Sequence, residues 1–225
     1  MRLVDASPVK AFHFTGYGYG LDDIRRRRVK IATFDGLNDP FELLSMDLSN
    51  KTLRQRFGFL AATLNLSRGM ICFSRRWDNP VQWSHYAESH RGFCLEFDVP
   101  ESMLLSVSYK RKRLVAEAEN VLKSGLLDQE FIEKLLATKY SHWRYEQESR
   151  LFVTLPEPEP ETGLYFEPFS NHLKLTGIIV GALSPVCRAD VQEALGDLVT
   201  SVRCFKVRLA FRSFRVVRQR KASLW

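Results

Sequence analysis

The hydrophobic positions of this chain change period several times, and those changes outline its elements. Leu53, Phe57, Leu60, Ala61 and Leu64 recur at helical spacing, which predicts a helix from about Thr52 to Leu66. Phe131, Ile132, Leu135 and Leu136 form a second apolar stripe, with Asp128 placed to cap its helix. Gly92 to Asp98 alternates apolar and polar positions, as a half-buried strand does. Met70 to Ser74 and Leu175 to Val180 are short apolar runs that read as buried strands, and Val9 to Phe14 reads as a first strand. Val202 to Val217 reads as a long strand or bent hairpin, with Val207, Leu209 and Phe211 alternating with Arg208 and Arg212.

Turn-forming residues punctuate these runs. Thr15 to Gly20 is glycine-rich and reads as a turn before a short helix from Leu21 to Arg28. Val29 to Thr33 is a short strand, and Asp35 to Pro40 is a dense cluster of turn formers. Short helices are expected over Val81 to Ser89 and Ala189 to Leu198. Pro156 to Gly163 reads as an exposed surface loop rather than a domain boundary. Strands and helices do not alternate regularly, so the pattern predicts an α+β fold in a single domain over residues 1–225, with a basic C-terminal strand segment at 202–221.

Composition narrows the class. The chain has 225 residues and 45% hydrophobic content, enough for one buried core. It has no apolar run of the roughly 20 residues that span a bilayer, and no apolar stretch near Met1 that resembles a secretory signal. The expectation is a cytoplasmic protein without a membrane partner. Cys72, Cys94, Cys187 and Cys204 are scattered, which favours free thiols over disulfides or a zinc site. The net charge of +7 is concentrated at one end. Beyond Asp197 there are eight basic residues and no acid, while the rest of the chain is close to neutral. Arg208, Arg212 and Arg215 are therefore candidate nucleic-acid contacts. Basic side chains that protect an edge strand give the same pattern.

Candidate chemistry gathers in four stretches. Trp143 to Arg150 crowds two acids, two arginines and two aromatics into eight positions. Read as an extended strand, it points Glu146 and Glu148 to the same face. Ordinary surface ion pairs with Arg144 and Arg150 are the alternative. His13-Phe14-Thr15, Asn38-Asp39-Pro40-Phe41-Glu42 and Trp83-Ser84-His85-Tyr86 are the other three. Each has a plain structural alternative: a satisfied strand histidine, an Asx turn, core aromatics. The sequence carries no His-Glu-x-x-His pair, P-loop or nucleophile elbow, and no metal is expected.

The blocks Asn38 to Glu42, Cys72-Phe73-Ser74, Trp83 to Ala87 with Gly92 to Phe97, and Lys139 with Trp143 to Arg150 resemble an uncharacterised bacterial family. It is known as domain of unknown function twenty-nine seventy-one. Its blocks follow one another over roughly residues 10 to 185, and the resemblance implies no activity. A second resemblance is to the ADP-ribosyltransferase fold. His13-Phe14-Thr15 is similar to the His-x-Thr start of its histidine-type branch. Phe73-Ser74 with Ser84-His85-Tyr86 is similar to its second block, and Glu146-Gln147-Glu148 to its Glu-x-Glu.

This second resemblance implies two small mixed or antiparallel sheets around a cleft that takes NAD as substrate, with flanking helices. It implies Glu148 as catalytic residue with Glu146 in support. His13, Thr15, Ser74, Trp83 and Tyr86 would hold NAD, and Asn38, Asp39, Glu42 and Arg150 would lie around the site. The Asn38 to Glu42 block has no counterpart in that fold. The implied setting is a bacterial toxin or phage-defence system, with a protein or nucleic-acid acceptor and an antitoxin or other defence protein as partner. Two other functions fit the same residues. One is a nuclease holding Mg²⁺ on Glu42, Glu146 and Glu148, for which Glu42 must lie near Glu148. The other is a non-catalytic binding module, in which arginines saturate the acids.

Overall fold

The computed structural model describes residues 7–124 and 128–225. In chain order the elements are β1 (Pro8–Thr15), α1 (Tyr17–Arg26), β2 (Arg28–Ile31), α2 (Lys51–Ser67), β3 (Arg68–Ser74), α3 (Pro80–Tyr86) and β4 (Phe93–Pro100). There follow β5 (Leu104–Ser106), β6 (Ser108–Lys110), α4 (Val115–Ser124), α5 (Gln129–Leu136), β7 (Thr138–Tyr140) and β8 (Glu148–Thr154). The last third holds β9 (Tyr165–Pro168), β10 (Lys174–Val180), α6 (Arg188–Leu195), β11 (Arg203–Leu209) and β12 (Val216–Arg218). The α+β class expected from the pattern is the observed one.

Eight strands form one mixed sheet in the order β12-β11-β10-β4-β1-β3-β8-β5. Among the described residues its only parallel neighbours are β10 and β11. The expectation of two small sheets around a cleft is corrected here, because β1 joins the two halves. It pairs with β4 along its whole length, from Pro8↔Pro100 to Thr15↔Phe93. With β3 it shares a single register pair, Phe12↔Ser74. The sheet is thus continuous but thinly stitched between β1 and β3. Two further two-stranded sheets, β2 with β9 and β6 with β7, flank it.

Three apolar clusters cover the sheet. Ile24, Phe93, Phe97, Ile178 and Leu195 belong to the largest. Leu53, Phe57, Met70, Phe131 and Leu135 form the second, where α2, α4 and α5 gather. The third sets Trp83 and Ala87 of the α3 region against Phe12, Cys94 and Phe205. The helices expected at Thr52 and after Asp128 both form, the second capped by Asp128 as its sequence suggests and the first by Asn50. Asn50 Oδ1 accepts from Thr52 N at 2.9 Å, and Asp128 Oδ1 accepts from Phe131 N at 2.8 Å.

Two expectations need correcting. The glycine-rich stretch after Thr15 is not a turn, because α1 already begins at Tyr17. The Glu88 carboxylate accepts from Tyr17 N at 2.9 Å and anchors that start. Gly20 lies so close to Phe93 that a Cβ would come within 2.5 Å of the ring, which explains a glycine inside a helix. Trp143 to Arg150 is not one strand either. Ser141–Glu146 winds into a 3₁₀ helix, Gln147 turns with φ of 47°, and β8 starts only at Glu148. All four cysteines are free thiols, and Cys187 is exposed.

Candidate functional site

The thin seam between β1 and β3 opens into a cavity of about 280 Å³. Phe12, His13 and Phe14 line one wall, and Cys72, Phe73 and Ser74 another. His13 Nδ1 lies 3.0 Å from the Cys72 carbonyl and bridges the two strands. A carbonyl only accepts, so Nδ1 carries the hydrogen and Nε2 is left with its lone pair. Burial pushes the His13 pKa down, which keeps the ring neutral.

Glu146 and Glu148 reach this cavity by a route that strand alternation does not describe. Glu146 ends the 3₁₀ turn and Glu148 opens β8, with Gln147 in the left-handed region between them. Three side chains hold that turn in place. Ser74 Oγ donates to the Glu146 carbonyl at 2.7 Å, Gln82 Nε2 donates to the same carbonyl at 3.0 Å, and Asn79 Nδ2 donates to the Tyr145 carbonyl at 3.0 Å. Asn79 also caps α3, where it accepts from Val81 N at 2.9 Å. The helix, the end of β3 and the 3₁₀ turn are therefore one hydrogen-bonded unit.

Lys139 from β7 stands between the two acids. Its Nζ lies 2.7 Å from Glu146 Oε2 and 2.9 Å from Glu148 Oε2, and 5.1 Å from the centroid of the Trp143 ring. Arg150 meets Glu148 from the other side, Nε to Oε1 at 2.8 Å. It also meets Glu42 at 2.6 Å and donates to the Leu136 carbonyl at 2.6 Å. Arg150 is fully buried. Three carboxylates thus face two cations, so the fully ionised network carries one net negative charge.

The two glutamates divide that imbalance unequally. Burial opposes ionisation of Glu148, but Arg150 and Lys139 together overcome it and hold the carboxyl at about 2. Glu146 has the same burial and only Lys139 as a counter-ion, so its pKa is raised. Tyr86 donates its hydroxyl hydrogen to Glu146 Oε1, and its oxygen accepts from Asn38 Nδ2 at 2.8 Å. Burial and the Glu146 charge push the Tyr86 phenol far above its usual value, so it remains a donor. Environments that drive two neighbouring carboxyls apart in acidity are how sites assign one as fixed anion and the other as proton carrier.

The residues singled out in the sequence separate into three groups. His13, Asn38, Ser74, Tyr86, Glu146 and Glu148 all line the cavity. Glu42 and Arg150 lie behind Glu148 as its charge support. Thr15, Asp39 and Trp83 do not line it, which corrects their expected roles. Thr15 is buried at the end of β1. Asp39 closes an Asx turn by accepting from Phe41 N at 2.9 Å. Trp83 is fully buried, donates to the Trp77 carbonyl and packs edge-on against Phe14 at 5.3 Å. Ser74 borders the cavity with its hydroxyl already committed to the Glu146 carbonyl, so it positions the acid.

Lys139 stands in the sequence only as part of a family-like block and Gln82 is not marked there at all, so neither was assigned a role in the site. A lysine three residues after Leu136 looks like solvated surface, and its burial follows only from the pairing of β6 with β7. The basic side chains Arg208, Arg212 and Arg215 lie on the β11–β12 hairpin, outside this cavity.

Lys139, Glu146, Glu148 and Arg150 fall within one stretch that is recognisable by comparison. The family model described as Protein of unknown function (DUF2971) matches residues 82–151. Over that stretch the chain is similar to the DUF2971 family. No curated protein and no solved structure matches it. The DUF2971 match runs from α3 to β8 and takes in Tyr86 and every charged member of the network except Glu42. His13, Asn38 and Ser74, which complete the cavity, come from before it.

Proposed function

We propose that this chain is an ADP-ribosyltransferase-like enzyme that breaks the nicotinamide glycosidic bond of NAD in the β1–β3 cavity. One observation carries the reading. An ionised glutamate and a glutamate of raised pKa, linked through one lysine, meet on a cavity that also presents a neutral histidine. The strands that bear His13, Ser74 and Glu148 are immediate neighbours in the sheet. At about 280 Å³ the cavity is at the small end of ligand sites and suits one nucleoside of a dinucleotide.

The charge balance favours this substrate. Nicotinamide in NAD is a pyridinium, and the network behind the cavity is one negative charge in excess. When the bond from C1′ to the pyridinium nitrogen breaks, its electron pair neutralises the ring and leaves an oxocarbenium ion. Glu148, held ionised by Arg150, stabilises that cation as it develops. The acceptor's lone pair then forms the new bond to C1′, and its proton passes to Glu146. Tyr86 orients Glu146, and Phe12, Phe14 and Phe73 exclude water around the ring.

A second reading is supported by the hydrogen bonds of Glu148, since both its oxygens already meet cations. A binding module that senses a cationic ligand without turning it over needs nothing more. The nuclease reading gains less. Glu42 does lie near Glu148, but Arg150 fills the space between them, and among the described residues no group of three His, Cys, Asp or Glu side chains could hold a metal ion.

The test is nicotinamide release from NAD by the purified chain, with and without protein and nucleic-acid acceptors. Loss of at least a hundredfold in Glu148→Gln, with binding of NAD retained, supports catalysis. Binding without release in the wild type would favour the sensor. Neither binding nor release sinks the NAD reading.

A further inference from the structure

We infer that the C-terminal edge of the sheet is a binding surface for single-stranded nucleic acid, separate from the β1–β3 cavity. The edge is formed by β11, β12 and the residues after them. Arg188, Lys206, Arg218, Arg220 and Lys221 line a hollow of about 550 Å³ there, together with the indole of Trp225. Among the described residues no acid lines that hollow. Among the described residues none of these five cations is ion-paired. Lys206 donates to the Ser184 carbonyl at 2.8 Å, while Arg188 and Arg218 lie over the rings of Trp225 and Phe205 at 4.9 and 5.0 Å. Unpaired cations around a concave surface repel one another unless an anion joins them, and oligonucleotide phosphates are such anions.

The aromatic side chains distinguish a nucleic acid from a simple anion. At the tip of the hairpin Phe211 is 91% exposed and Phe214 is 99% exposed. Arg208 lies over the Phe211 ring at 4.5 Å, and Arg215 leans on Asp78 at 3.6 Å. Two bare rings set among arginines offer stacking faces beside phosphate contacts, which is how sequence-tolerant single-strand binders work. From Phe214 to Lys221 the chain runs about 23 Å if extended, at ~3.3 Å per residue. That length accommodates several successive nucleotides, so the rings and the hollow can engage one strand together. A duplex keeps its bases stacked and cannot use the rings.

The experiment is fluorescence anisotropy on the full chain. The probes are a short mixed-sequence single-stranded DNA, the RNA of the same sequence, the DNA duplex, and heparin as a polyanion without bases. We expect the single strands to bind more tightly than the duplex, with affinity falling steeply between about 50 and 200 mM salt. Replacing both rings (Phe211→Ala with Phe214→Ala) should weaken single strands about tenfold or more and leave heparin unchanged. The rings are exposed, so this variant keeps its fold. Arg218→Gln with Arg220→Gln should weaken both probes and flatten the salt dependence. A preference between DNA and RNA identifies which strand is bound. Absence of oligonucleotide binding, single-strand binding indifferent to the rings, or capture by anionic lipid vesicles with none by oligonucleotides would each overturn the proposal. None of these results bears on the NAD proposal, which concerns the β1–β3 cavity.

Discussion

Arg150 holds Glu42 through two parallel hydrogen bonds, 2.6 and 3.0 Å long, across 108 positions of sequence. The pair ties the loop after Pro40 to β8 and fixes the guanidinium that charges Glu148. Because Arg150 is fully buried, removing it leaves two carboxylates in a poorly solvated place. Arg150→Met is expected to lose about 3–5 kcal/mol of stability in urea unfolding. Arg150→Met combined with Glu42→Gln should lose less than the two single losses added, because the second change removes an acid that the first left unpaired. Strict additivity would show that the two residues do not act as a unit.

The depressed Glu148 carboxyl makes stability depend on pH in a defined direction. Its folded value is about 2, against an ordinary 4.5. The stabilisation is complete above about 4.5 and is lost as pH falls towards 2, with a full size on the order of 3 kcal/mol. Glu148→Gln should therefore destabilise strongly at pH 7 and much less at pH 3. An equal loss at both values would show that the Glu148 charge is not what matters.

Asp23 runs the opposite way. It is buried on α1, its Oδ2 has no hydrogen-bond partner, and burial raises its pKa to about 7, with the neighbouring Asp22 adding to the rise. The folded chain holds the proton that the unfolded chain releases near 3.8, so folding loses stability as pH climbs through 7. Asp23→Asn should raise the unfolding free energy at pH 8, by on the order of 2–4 kcal/mol, and leave it nearly unchanged at pH 4. A destabilised variant at pH 8 would mean that Asp23 has a charged partner in solution.

Gly92 and Gly181 mark where chains pass too closely for a side chain. A Cβ on Gly92 would come within 2.1 Å of the Thr15 carbonyl oxygen, and one on Gly181 within 2.2 Å of the His90 carbonyl oxygen. Backbone cannot rotate away as a side chain can. Each alanine substitution should cost about 1–3 kcal/mol, measured by thermal unfolding. Gly18→Ala meets nothing within 4 Å and should be neutral or slightly stabilising. Equal effects at all three positions would refute this steric account.

Much of the site was legible in the sequence because chemistry concentrates reactive side chains at positions where packing alone would place apolar ones. Tyr86, Glu146 and Glu148 are conspicuous for that reason. How they converge was not legible. Period-two alternation would have placed both glutamates on one strand face, whereas the left-handed Gln147 brings them together around a turn. Trp83 and Tyr86, three positions apart on one helix, read alike as aromatic residues. Only the packing of α3 buries the first and turns the second to the cavity. The role of Lys139 stayed hidden because a buried lysine is defined by partners seven and nine positions away on other elements. The eight-stranded sheet was hidden for a similar reason, since its order depends on which strands share an edge.

The hydrogen bond from Tyr86 to Glu146 yields the sharpest functional prediction. A donor to a carboxylate favours its ionised form, and Tyr86 is one of the groups that restrain the raised pKa of Glu146. Tyr86→Phe removes that donor, so the Glu146 pKa should rise further. In the proposed reaction Glu146 must be ionised to take the acceptor's proton, so the acid limb of the pH–rate profile for NAD turnover should move to higher pH. Asn38→Ala should move it less, because Asn38 touches only the Tyr86 oxygen. At pH values above both limbs the Tyr86→Phe rate should recover most of the wild-type value. A uniform drop at every pH, with the acid limb unmoved, would reduce Tyr86 to a packing residue and remove Glu146 as the proton acceptor.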